Sequence, residues 1–226
     1  MAARQDDAQG KKLLTAVERL LDVTDNLIAK GDRFLENARA QGHADLQDQR
    51  EVAAAEAIHH FSNLTAISGG ASALPALLPG MGSLIAMTGG TLADMGLMLK
   101  FEVEMAMVLA HVYGFDLHRP EERQLALLLA SVGTYEAKSG ESFLADAARA
   151  EGVAIWNYAP RQVSKMIVRV LTRIALLQMW KGFVRALPLV GIAVNSSMNK
   201  VLTRRVGERC RDDLRTRRAL KDRAAA

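Results

Sequence analysis

KKLLTAVERLLDVTDNLIAKGDRFLENARAQG, residues 11–42, carries Leu13, Leu20, Leu27 and Phe34 one every seven residues, beside a second row at Leu14, Leu21, Ile28 and Leu35. Seven residues are close to two α-helical turns, so the spacing predicts one apolar stripe along a long amphipathic helix of about 30 residues, ending near Gly42. Two rows side by side make a stripe wider than a strict coiled-coil seam, which favours packing on a bundle. A partner chain, or a second copy bound through residues 11–40, remains the alternative. Two regions are expected: this heptad helix over residues 1–42, and a helical domain over residues 43–226.

The rest of the chain reads the same way. Of 226 residues, 50% are hydrophobic and only 5% aromatic. The aliphatic excess is Ala, Leu and Met, which favours helix over strand, and no alternating run long enough for a sheet is present. Asp45 is placed to cap a helix through Ala53, Ile58 and Phe61. Another is predicted from about Thr91 to Tyr113, closed by Gly114. Pro120, followed by Glu121 and Glu122, opens a third, since proline suits a first turn and acids its positive end. A short helix near residues 141–150 would take Ser139 as cap. Pro160 opens a helix to about Leu187, broken by Pro188, and Gly191 starts the last. The expected fold is all-α, a single multi-helix bundle.

Residues 57–93 carry no formal charge when His59 and His60 are neutral. Gly69, Gly70, Pro75, Pro79, Gly80, Gly82, Gly89 and Gly90 interrupt them, so no ~20-residue apolar span is available. The pattern predicts a broken apolar hairpin over residues 57–99, either buried in the core or dipping into lipid.

Charge is distributed unevenly. The formal net of +4 resolves into −8 over residues 1–160 and +12 over residues 161–226. Arg161, Lys165, Arg169 and Arg173 step by four along one face of a helix that has no acid between residues 161 and 199. Either the two halves neutralise one another, or the basic third faces an anionic partner. A cationic amphipathic face suits an anionic membrane surface, with Lys165, Arg169, Arg173, Arg204 and Arg205 as the facing candidates. Nucleic acid is disfavoured, since no named binding module is visible and few aromatics accompany the charge.

Catalytic signatures are absent: no phosphate-binding GxxxxGK[ST] loop, no GxSxG elbow, no HExxH and no Cys/His metal spacing. No catalytic residue, metal or cofactor is assigned, and the protein is expected not to be an enzyme. A carboxylate centre on Asp94, Glu102, Glu104 and Asp116 would lack the Glu-x-x-His pairs such bundles use, and Glu104 with His111 has no third ligand. Cys210 stands among arginines able to lower its pKa, and His59 with His60 is a candidate pH-responsive pair. Asn195, Asn199 and Thr203 form a polar stripe, either a buried knot or the lining of a site. Arg123 is expected to pair with Asp116. With one cysteine and no apolar leader, a cytoplasmic location is expected, peripheral on the inner face of the cell membrane where lipid is engaged.

Tyr113-Gly114-Phe115-Asp116, then Pro120 and Glu122-Arg123 before a Leu-rich helix, resembles the central signature of the EcsC family. Leu187-Pro188-Leu189-Val190-Gly191, followed by Asn199 and Thr203, is similar to a later family motif, and so is the Gly-rich apolar segment upstream of Tyr113. The resemblance spans roughly residues 57–215. Asn195 and Ser196 stand where relatives tend to have glycines, and Met95-Gly96 where they tend to have a proline. The resemblance implies an all-helical bacterial protein, in some relatives encoded beside an ABC transport system, with no established biochemical activity. The function expected from residues and resemblance together is non-enzymatic membrane association. A soluble interaction module working through the N-terminal helix is the alternative.

Overall fold

The computed structural model describes residues 2–69, 90–143, 159–182 and 191–225. The described residues form seven helices and no strand: α1 Ala2–Leu20, α2 Thr24–Ala40, α3 Leu46–Gly69, α4 Gly90–Val112, α5 Pro120–Ser139, α6 Pro160–Gly182 and α7 Gly191–Ala225. The all-α bundle is therefore what the chain forms. Residues 70–89, which include most of the glycines and prolines of the expected broken hairpin, and residues 144–158, which include most of the expected short helix, lie outside the described residues.

α4 is the axis of the bundle. From Met95 to Ala110 only Lys100 is not buried, and a helix that is apolar all round is stable only when covered on every side. Six helices cover it, each touching α4: α1 packs on α6, α6 on α5, α5 on α7, α7 on α3 and α3 on α2.

The heptad stretch is two helices, not one. Residues 21–23 break it, with Val23 extended at φ −62°, ψ 144°. Asp22 holds the break: its backbone N–H donates to Glu104 Oε1 at 2.8 Å, and its carboxylate accepts from Val23 N–H, Asn26 Nδ2 and Lys30 Nζ. The apolar period continues through the break because both helices serve the same core, with Leu13, Val17 and Leu27 all at most 1% exposed.

Asp45 caps α3 as expected, Oδ2 accepting from Asp48 N–H at 3.0 Å. α4 ends in a Schellman motif: Phe115 N–H reaches Ala110 O at 2.9 Å and Gly114 N–H reaches His111 O at 2.8 Å. Gly114 sits at φ 79°, where a side chain would be strained. Pro120 and Gly191 begin α5 and α7 as predicted. Ser139 ends α5, its hydroxyl donating to Tyr135 O and accepting from Glu141 N–H at 3.1 Å, and Gly140 closes the helix with φ 77°. No described helix is long and apolar enough to cross a membrane.

Candidate functional site

The Tyr113–Arg123 connection lies against the arginine-rich end of α7. Tyr113 is 1% exposed, and its hydroxyl donates to Glu51 Oε1 of α3 at 3.0 Å. Burial, then the Glu51 carboxylate, push its pKa upward, so it stays a neutral donor. Phe115 is buried beneath Arg217, whose guanidinium carbon is 4.2 Å from the ring centroid, with the Lys221 ammonium at 5.7 Å. Arg217 also grips Glu122 with both terminal nitrogens. The motif thus clasps α4, α5 and α7 together. Arg123 does not pair with Asp116: its Nη1 donates to the carbonyls of Leu117 and His118 at 2.7 and 3.0 Å, while Asp116 Oδ1 accepts from His118 N–H. The connection is tight enough that bare carbonyls, rather than the exposed Asp116, are what the guanidinium reaches. Replacing Arg217 by methionine is expected to cost about 1–2 kcal/mol in chemical denaturation, because Glu122 loses its partner in a half-covered position. An unchanged midpoint would remove the clasp.

The carboxylates weighed as a catalytic set do not converge. Glu104 turns towards α1 and pairs with Lys100 at 3.1 Å. His111 pairs with Asp32 at 2.8 Å. Glu102 faces the opposite side of α4, fully buried, where it meets Thr134 of α5 at 2.6 Å and Thr203 of α7 at 3.1 Å. Burial pushes the Glu102 carboxyl up, only partly offset by these hydroxyls and by Lys138. Thr134 Oγ1 also lies 2.8 Å from Ala130 O, with one proton to give to two acceptors. A protonated Glu102 resolves the count, its own O–H donating to Thr134 and that of Thr134 to the carbonyl. Thr203 therefore belongs to a buried knot, and Asn199 is half-buried one turn before it. The side chains of Asp94 and Asn195, and all of Pro188, lie outside the described residues. Among the described residues no three His, Cys, Asp or Glu side chains could together hold a metal.

Cys210 is wholly buried, and desolvation, then the nearby Asp213 and Glu102 carboxyls, raise its pKa. Arg209 acts in the opposite direction but does not offset the burial, so the thiol is not activated. His60 packs against Phe34 and Phe61 and is pushed towards the neutral form by burial.

The basic residues divide into two groups. Those of α7 are largely matched by carboxylates: Arg204 with Glu208 at 2.9 Å, Arg209 with Asp213 at 3.3 Å, Arg211 with Asp212 at 3.0 Å, Arg215 with Glu51 at 3.6 Å, and Arg218 with Asp222 at 2.8 Å. On α6, Arg161, Lys165, Arg169 and Arg173 are all exposed, and no described carboxylate lies within 4 Å of them. Arg173 rests over the rings of Phe143 and Tyr135 at 5.2 and 5.8 Å. Lys165 and Arg169 line an open groove with Ser164, Val168 and Lys11 of α1. Lys11 is the member of this patch that the α6 spacing could not disclose, since only the fold brings α1 beside α6. Arg205 is exposed on α7.

Fold and site define an all-α bundle wound around one buried helix, pinned at a Tyr-Gly-Phe-Asp turn and carrying an unmatched cationic face on α6. The chain belongs to the EcsC protein family, whose family model matches residues 6–218. That match takes in α1 and α2, beyond the span of residues 57–215 suggested by the motifs, in keeping with a shared core to which Leu13, Val17 and Leu27 contribute. No curated protein and no solved structure matches the chain.

Proposed function

We propose that this protein is a non-enzymatic helical protein that associates peripherally with an anionic membrane surface, on its cytoplasmic side, through the exposed face of α6. The observation that carries the reading is the contrast in charge matching. The arginines of α7 are largely matched by carboxylates of α3, α5 and α7 itself, whereas the row Arg161, Lys165, Arg169 and Arg173 has no described carboxylate to meet. Each basic residue near an anionic leaflet contributes about 1 kcal/mol, falling away within a Debye length. Arg204 contributes less than its sequence position suggests, being held by Glu208. Stable attachment needs a second, apolar signal; the sequence points to one in residues 57–99, of which Ala57, Ile58, Phe61 and Met95–Leu99 are buried in the core and only the part outside the described residues remains a candidate. The link to an ABC transport system implied by the family resemblance is compatible with a protein held at that surface. Lipid is favoured over a partner helix at residues 11–40, because Leu13, Val17 and Leu27 face inward in this fold.

Co-sedimentation with vesicles tests this. Lys165→Gln with Arg169→Gln should weaken binding to anionic vesicles about thirtyfold at low salt, as expected for losing two such contacts. Equal recovery of the unaltered protein on neutral and anionic vesicles would overturn the reading.

A further inference from the structure

We infer that the cleft between α3 and α7 is a binding site for a phosphate group. Its walls are Ala55, Ile58, His59 and Ser62 on α3 and Lys200, Arg204, Glu208 and Arg211 on α7, around a space of about 180 Å³. It lies on helices other than the α6 face, so it stands or falls separately from the membrane reading.

Ser62 is the decisive residue. It is 1% exposed, and its Oγ finds no hydrogen-bond partner among the described residues. A buried hydroxyl left unpaired costs about 1–3 kcal/mol, and helical serines ordinarily avoid that by bonding the carbonyl one turn back, as Ser131 and Ser164 do here. Ser62 does not, and it lines a stretch of the α3–α7 interface to which three basic side chains contribute. An anion accepting from that hydroxyl would supply the missing partner.

The charges around the cleft suit an oxyanion. Lys200, Arg204 and Arg211 are set one helical turn and then two turns apart along α7, so all three lie on its α3-facing side. Arg204 gives its Nε to Glu208, and Arg211 gives Nε and one Nη to Asp212 Oδ1. Each guanidinium carries five N–H donors in a planar fork, which leaves the other donors for a tetrahedral oxyanion. Lys200, exposed at the rim, adds a mobile ammonium, and His59 adds an imidazole from α3. Next to the cleft the α7 backbone lies against side chains of α3 and α4: a Cβ on Gly207 would lie 2.8 Å from Ile58 Cγ1 and 2.9 Å from Met105 Sδ. A recessed space of this size suits a small tetrahedral anion. The group could be free phosphate or the terminal phosphomonoester of a lipid; the recognising chemistry is the same.

Titration calorimetry with inorganic phosphate against chloride at matched ionic strength is the test. The intact protein should bind phosphate saturably at one site. Ser62→Ala removes an unsatisfied hydroxyl, so it should fold at least as well as the parent while binding phosphate about tenfold more weakly. Arg211→Gln should weaken binding by a similar factor, and Lys165→Gln with Arg169→Gln should leave it unchanged. A second arm uses vesicles containing phosphatidic acid. If free phosphate competes with them and Ser62→Ala weakens both, the site takes a lipid headgroup; if phosphate binds without competing, it takes the free anion. Either supports the site. No saturable phosphate binding, or equal affinity in Ser62→Ala and the parent, overturns it.

Discussion

Gly10→Ala is expected to destabilise the protein by about 3 kcal/mol, a fall in Tm of roughly 6–12 °C for a chain of this size, although alanine is the better helix former by about 1 kcal/mol. The reason is the α1–α6 crossing. A Cβ at position 10 would lie 2.6 Å from the Val168 carbonyl oxygen and 2.9 Å from the Thr172 backbone nitrogen, and would overlap Thr172 Oγ1. The hydroxyl is itself held by Val168 O at 2.8 Å, and the backbone atoms belong to a helix whose other face fills the core with Val170, Leu171 and Ile174. Rotation of a side chain does not relieve the overlap, so α1 must back away and uncover Leu13, Ala16 and Val17. Urea denaturation should show a lower midpoint with little change in slope. Lys12→Ala, at an exposed position of the same helix, should stay within about 0.5 kcal/mol of the parent. The same displacement moves Lys11 away from Lys165 and Arg169, so vesicle binding should weaken together with stability. A Gly10→Ala protein as stable as its parent would show that α1 and α6 do not meet so closely.

The helices themselves were legible because their signals are local. Asp45, Gly114, Pro120, Pro160 and Gly191 each mark a boundary through their own backbone chemistry, and each stands where it was expected. The interruption of the heptad was not legible, because an apolar period reports which face is buried and not whether the backbone is continuous. Asp22 breaks the helix with a contact to Glu104, 82 residues away, and no window of sequence contains both. Arg123 was misassigned for the opposite reason: opposite charges seven residues apart suggested a pair, while the short turn presented backbone carbonyls at closer range. Cys210 shows that charge counted along a helix does not fix the charge state of an atom, since burial of the thiol outweighs the arginine beside it. Ser62 gave no signal at all, being one serine in a long uncharged run whose significance rests on a missing partner. Glu102 gave a partial one, as an acid among Met, Phe and Val on a helix destined for the centre.

Glu102→Ala is expected to lose about 3 kcal/mol at acidic pH, because the truncated side chain leaves a hole at a fully buried position and strips Thr134 and Thr203 of their shared partner. Glu102→Gln should behave differently, and its pH profile carries the test. Burial raises the Glu102 carboxyl above the ordinary carboxylate range in the folded protein, so the native state keeps a proton that the unfolded chain has released. Stability contributed by this group is therefore complete below the unfolded value and falls as pH rises towards the raised one. Asp213 acts in the same direction: burial lifts it from 3.8 to about 6, despite Arg209 at 3.3 Å. These two groups should thus withdraw stability from about pH 4 upward, against the gain that His60, held neutral by burial, makes as pH rises. In the glutamine variant the amide donates to Thr134 and its oxygen accepts from Thr203, with no proton to lose, so the Glu102 part of the slope should vanish while the parts from Asp213 and His60, shared with the parent, remain. Cys210 on α7, whose carboxylate neighbours include Glu102, does not change charge over this interval, because burial raises its thiol. Urea denaturation from pH 4.5 to 8.5 should show Glu102→Gln close to the parent at the acid end and more stable at the alkaline end. Parallel curves for the two proteins would mean that Glu102 is ionised in the fold, with the charge of Lys138 and the two threonine hydroxyls outweighing its burial.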